Sequence, residues 1–145
     1  MNWTDLHVRD AFFNEALDGA TKVLVITGVL VMYLDDRDVI ALLEAITLPE
    51  VTWWMSDFAG PVLKKMMNKK MADILSHASF NCAPENGLFY FEDFGWASPR
   101  RNHYLQLLTG SIDYQVVHAP ACLLPQPDPR HPGSRAWSAV VLLTR

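Results

Sequence analysis

At 145 residues, half of them apolar and 19% charged, the chain has the length of one domain and the composition of a folded one. Its 12 basic against 16 acidic side chains leave a net charge of −4, which argues against a general nucleic-acid or anionic-membrane binder. Two cysteines, Cys82 and Cys122, are too few for a disulfide framework and make no CxxC pair for zinc or redox work. The longest apolar stretch, Val23 to Leu34, is broken by Thr27 and Gly28 and falls short of the roughly 20 residues of a membrane-spanning helix. Nothing ahead of the Asn2-Trp3-Thr4 sequon reads as a signal peptide, so a cytoplasmic location is expected.

In chain order, Leu6, Val8, Phe12, Phe13, Ala16 and Leu17 make a loose helical face that Asp18-Gly19 closes. Val23 to Leu34 shows no polar–apolar alternation and reads as a strand buried on both faces, as in a parallel sheet covered by helices. Val39, Ile40, Leu42, Leu43 and Ile46 then recur at helical spacing behind an Asp35 or Asp36 cap, and Pro49 ends that helix. Val51 to Met55 is a second strand, so residues 23–56 form a βαβ unit. Pro61 opens a helix whose stripe is Val62, Met66, Met67, Ile74, Leu75 and Ala78, with Lys64, Lys65, Lys69 and Lys70 as a solvated face and the methionines as core filler. The aromatic run Phe89, Tyr90, Phe91, Phe94 and Trp96 has no deciding period. The stretch 119–134 is a proline-rich loop, and Ala136 to Leu143 is a last apolar strand in the same sheet.

Most standard catalytic kits are missing. The histidines at 7, 77, 103, 118 and 131 have no HxxxH or HxH spacing, so no metal site is expected, and there is no GxSxG elbow or P-loop. What remains is position: ligands of open α/β sheets bind beyond the carboxyl ends of parallel strands. That singles out Ile26, Thr27, Gly28 and Val29 with Tyr33, and Trp54 to Phe58, as the ligand-binding candidates. Gly28 reads equally as a bend in the strand, and Asp57 equally as a cap for the helix after Pro61. His103, beside Tyr104, is the candidate general base, and reads also as a surface or core residue.

The block from Val23 to Met32-Tyr33-Leu34, followed by Asp35-Asp36 and a helix, resembles the leucine carboxyl methyltransferase-like family, which includes carboxyl O-methyltransferases of the tetracenomycin type acting on polyketides. Pro84-Glu85-Asn86-Gly87-Leu88-Phe89-Tyr90-Phe91-Glu92 with Gly95-Trp96 is similar to that family's ENG-x-x-F-F-E … GW block, and Trp54-Met55-Ser56-Asp57 to its fifth-strand segment. The likeness runs over about Leu17 to Trp96 and loosely over Ser138 to Arg145. It implies an α/β fold, the C-terminal half of a Rossmann-like doubly wound methyltransferase sheet with flanking helices, as one partial domain over 1–145. It also implies S-adenosylmethionine as cofactor, at Thr27, Gly28 and Val29, and a small-molecule carboxylate or hydroxyl as acceptor, beside Tyr33, Trp54 and Asp57. A carboxylate is ionised at neutral pH and needs no base, whereas a hydroxyl would call on His103 or Asp57. The sequence departs from the family in having no GxG cofactor loop and in placing Gly28 where the family carries a cofactor-contacting glutamate. Weak or no cofactor binding by these residues alone is therefore expected, together with pairing as a homodimer or with a complementary N-terminal half. The alternative is a non-catalytic interaction or small-ligand-binding module; neither nucleic acid nor membrane is an expected partner.

Overall fold

The βαβ unit expected from the spacing of Val23, Asp35 and Val51 is present. The computed structural model describes residues 6–70, 79–98, 104–105, 133 and 136–145. Helix α1 (Leu6–Ala16) leads to strand β1 (Val23–Gly28), the single-turn helix α2 (Leu30–Tyr33), helix α3 (Asp36–Ala45) and strand β2 (Val51–Ala59). Helix α4 (Pro61–Lys70), the short helix α5 (Phe89–Glu92), the two-residue strand β3 (Tyr104–Leu105) and strand β4 (Ser138–Thr144) follow. The sheet order is β1-β2-β4-β3. Strands β1 and β2 are parallel, and β4 runs antiparallel to both of its neighbours. The protein is thus mixed α/β, with a mixed sheet and flanking helices. Among the described residues no helix is long and apolar enough to cross a membrane.

Asp35 caps α3 by accepting the Asp38 backbone N–H at 2.9 Å, and Asp36 and Asp38 place negative charge in the first turn where the helix dipole favours it. Val39, Leu42, Leu43 and Ile46 are all buried, as their spacing predicts. Helix α1 is tied to α3 by Arg9, whose Nη1 donates to the Ala41 carbonyl at 3.0 Å. The core is aromatic at its centre. Trp54 meets Phe58, Phe91 and Trp96 edge-on at centroid distances of 5.5, 5.4 and 5.8 Å. This settles the aromatic run after Gly87, which is helical over Phe89–Glu92 and delivers Phe91 to the core.

Three expectations are corrected. The apolar run from Val23 is not one strand buried on both faces. It stops at Gly28, whose φ of +52° turns the chain, and its residues alternate in exposure, with Leu24 at 44% and Ile26 at 60%. Strand β2 runs past Met55 to Ala59, because β4 supplies an antiparallel partner for each residue from Trp53 to Ala59. The stripe on α4 is not core either: no described residue of that helix is buried, and Met66 is 42% exposed. Polar bonds hold α4 in place. Asn68 exchanges bonds of 2.9 Å with both backbone groups of Phe80, and Lys64 Nζ donates to the Asn81 carbonyl. The rest of that stripe, at 71–78, and most of the proline-rich loop at 119–134 lie outside the described residues.

Candidate functional site

The carboxyl ends of β1 and β2 come together where the topology places them. Gly28 is opposite Ser56, with a register shift just before it, and β2 continues for Asp57, Phe58 and Ala59 beyond the point where β1 ends. The chain leaves β1 through Val29 into α2, which packs beside β2 and buries Val31. Gly28 has a left-handed backbone, and nothing lies within 4 Å of where a Cβ would stand. The conformation, not the space around it, requires glycine.

A chain of hydrogen bonds crosses this junction. Trp54 Nε1–H donates to Thr27 Oγ1 at 3.1 Å, the Thr27 hydroxyl donates to Ser56 Oγ at 2.8 Å, and the Ser56 hydroxyl donates to the Gly28 carbonyl at 3.0 Å. Each hydroxyl has a single proton, so the direction is forced by the terminal carbonyl, which can only accept. The relay joins the two parallel strands and holds the turn at Gly28. Ser56 falls within the strand-end stretch Trp54 to Phe58 that the sequence singles out, but the sequence gives it no role of its own. The available signal was a hydroxyl two residues after Trp54, on the same face of a strand whose alternate residues are buried.

The seven named site candidates lie in different surroundings. Trp54 is fully enclosed at 0% exposure and belongs to the core, away from any surface a substrate reaches. Thr27 has its proton committed to Ser56. Val29 is exposed at 52%, next to the open Gly28. Tyr33 is half-buried and stacks on Phe80 at 5.0 Å. Beside it, Asn81 donates from Nδ2 to the Tyr33 carbonyl at 3.0 Å and from its backbone to the Met32 carbonyl at 2.7 Å. Asp57 does not cap α4; it sits within β2 opposite Val140, and partial burial raises its carboxyl above the ordinary 3.8. His103 lies outside the described residues.

Cys82 is buried and follows this clamp. Desolvation, reinforced by the Asp36 carboxylate and opposed by Lys64, pushes its thiol up to about 11, so it is protonated and unreactive at neutral pH. Among the described residues no group of three or more His, Cys, Asp or Glu converges as metal ligands.

For S-adenosylmethionine, residues 27–29 present one wall and no charge. The wall consists of an engaged threonine, an open glycine and an exposed valine. A nucleoside with ribose hydroxyls is ordinarily held by an acid at a strand end, and small-molecule sites enclose most of their ligand. These residues by themselves do not fit the cofactor. Comparison with family models, with curated proteins and with solved structures finds no match to this chain.

Proposed function

We propose that this chain acts as the C-terminal half of a Rossmann-like methyltransferase sheet, and that strands outside these 145 residues complete it along β1. O-methylation of a small carboxylate or hydroxyl would belong to the completed sheet, with Tyr33 and Asp57 on the acceptor side. Beside the sequence resemblance, one observation supports this reading: among the described residues β1 is an apolar parallel strand at the edge of the sheet, paired with β2 alone. Parallel strands occur almost only inside covered sheets, and an unpaired edge invites another chain. The missing strands can come from a complementary half or from a second copy.

A second reading is favoured by the commitment of Thr27 to the internal relay and by the absence of an acid at Gly28: a non-catalytic, methyltransferase-like interaction module. Calorimetry with S-adenosylmethionine and sedimentation test both readings on the 145-residue chain. The expected result is no binding in the micromolar range and self-association at micromolar protein, or capture of a complementary half. Micromolar cofactor binding by this chain alone overturns the half-sheet reading. A monomer that stays monomeric and binds no complementary half overturns the pairing.

A further inference from the structure

Helix α1 turns a cation inward. Arg9 is 7% exposed, and Phe13, one turn further on, is 6% exposed. The Arg9 guanidinium donates from Nη1 to the Ala41 carbonyl, whereas its Nε is buried and finds no acceptor. Among the described residues no carboxylate pairs with it. Nor does Arg9 cap a helix. Helix α3 runs from Asp36 to Ala45, so the Ala41 carbonyl precedes the last four, which are the ones a helix leaves unpaired. Guanidinium groups keep their charge in proteins, and a buried charge without a counter-charge is costly because nothing offsets its lost hydration.

We infer that the Arg9 guanidinium anchors a carboxylate-binding site between α1 and α3. Nη1 is held by the Ala41 carbonyl, which leaves the edge formed by Nε–H and Nη2–H, and neither nitrogen donates to a described residue. That edge is the side-on fork that takes a carboxylate through two parallel bonds. Charge selects among oxyanions. A carboxylate brings one negative charge and cancels the guanidinium, whereas a phosphate monoester brings about −1.5 to −2 and leaves an excess of buried negative charge. Shape agrees with charge: with so little of Arg9 exposed, a planar carboxylate reaches the fork more readily than a tetrahedral oxyanion. The same chemistry is offered by a small free acid and by a Glu or Asp side chain of a partner. The site shares no residue with the strand ends of β1 and β2 and does not rest on methyl transfer.

Heteronuclear NMR of the full chain reads the Arg9 Nε–H directly, with Arg9→Lys identifying the signal. Acetate, exchanged for chloride at constant ionic strength, is expected to move that signal downfield and to saturate, while sulfate leaves it in place. A short neutral-ended peptide, acetyl-Gly-Glu-Gly-amide, forms the second arm. Tighter binding of the peptide than of acetate assigns the carboxylate to a partner's side chain, and weaker binding assigns it to a small acid; both support the site. Thermal unfolding gives an independent readout. Acetate at several times its dissociation constant should raise the Tm of the native chain by roughly 3 °C over chloride, and that of Arg9→Met by nothing beyond the chloride baseline. An Nε–H signal that ignores acetate, or moves equally with sulfate, overturns the proposal, as does an equal gain in Arg9→Met. If Arg9→Met does not fold, the NMR titration of the native chain decides alone.

Discussion

Ser56 shows how much one hydroxyl can hold. It is buried, accepts from Thr27 and donates to the carbonyl at the turn of Gly28. Ser56→Ala leaves the Gly28 carbonyl without that donor and the Thr27 proton without its acceptor, so a loss of about 1–3 kcal/mol is expected in urea denaturation. Thr27→Val should lose a similar amount by stranding Trp54 Nε1, and pairing it with Trp54→Phe should recover part of that loss. An unchanged midpoint in Ser56→Ala would show that the relay contributes nothing to stability. Asp57 gives a pH signature of definite sign. Its folded-state value is raised above 3.8, so the folded protein holds this proton more tightly than the unfolded chain does. Its contribution to stability is fully present below pH 3.8 and is lost as pH rises through the folded-state value. Stability of the native chain relative to Asp57→Asn should accordingly fall as pH rises from below 3.8 towards neutrality. A difference that is flat or rises with pH would contradict the desolvation of this carboxyl.

The elements owe their limits to identifiable residues. Strand β1 ends because Gly28 adopts φ +52°, a conformation that costs an L-residue about 1–2 kcal/mol. Since nothing would crowd an added Cβ, Gly28→Ala isolates that backbone term. It should destabilise by about that amount, and Gly28→Asn by less, because Asn tolerates the left-handed region better. Equal stability of all three in thermal unfolding would mean that the turn can relax. The other end of the unit behaves differently. A Cβ on Gly60 would stand 2.2 Å from Trp137 Nε1, so glycine there is required by packing between the end of β2 and the residue before β4. Helix α4 owes its position to Asn68 and the Phe80–Asn81 backbone, although its methionines and valine trace an apolar stripe in the sequence.

At the scale of the molecule, the described residues give the sheet one buried face, while on the other Leu24 and Ile26 of β1 are exposed. That asymmetry predicts opposite responses to the same chemistry. Ile26→Lys, at an exposed position, should change stability by less than about 0.5 kcal/mol. Val141→Lys, at a fully buried position opposite Ser56, places an unpaired ammonium in the core and should prevent stable folding. Circular dichroism and chemical denaturation of the two variants separate these outcomes, and marked destabilisation by Ile26→Lys would mean that the face is covered in solution. Among the described residues β1 pairs with β2 alone, and on the proposed half-sheet reading that apolar edge should show itself as association in sedimentation.

The local features were legible in the sequence because they depend on neighbours along the chain. Asp35 capping α3, the buried stripe of Val39, Leu42, Leu43 and Ile46, the strand character of Val51 to Met55 and the final apolar strand follow from periodicity and turn chemistry. What required the tertiary structure were properties set by distant partners. Exposure of Leu24 and Ile26 depends on what lies across the sheet, and an apolar run carries no record of whether its second face is covered. The extension of β2 to Ala59 depends on a partner strand some 80 residues later, which local pattern does not encode. The enclosure of Trp54 and the engagement of Thr27 likewise arise only when β1, β2 and α5 meet. A hydroxyl and an indole N–H that read as ligand groups in a linear sequence satisfy each other once the strands pair, because buried polar groups take whatever partner the fold brings near.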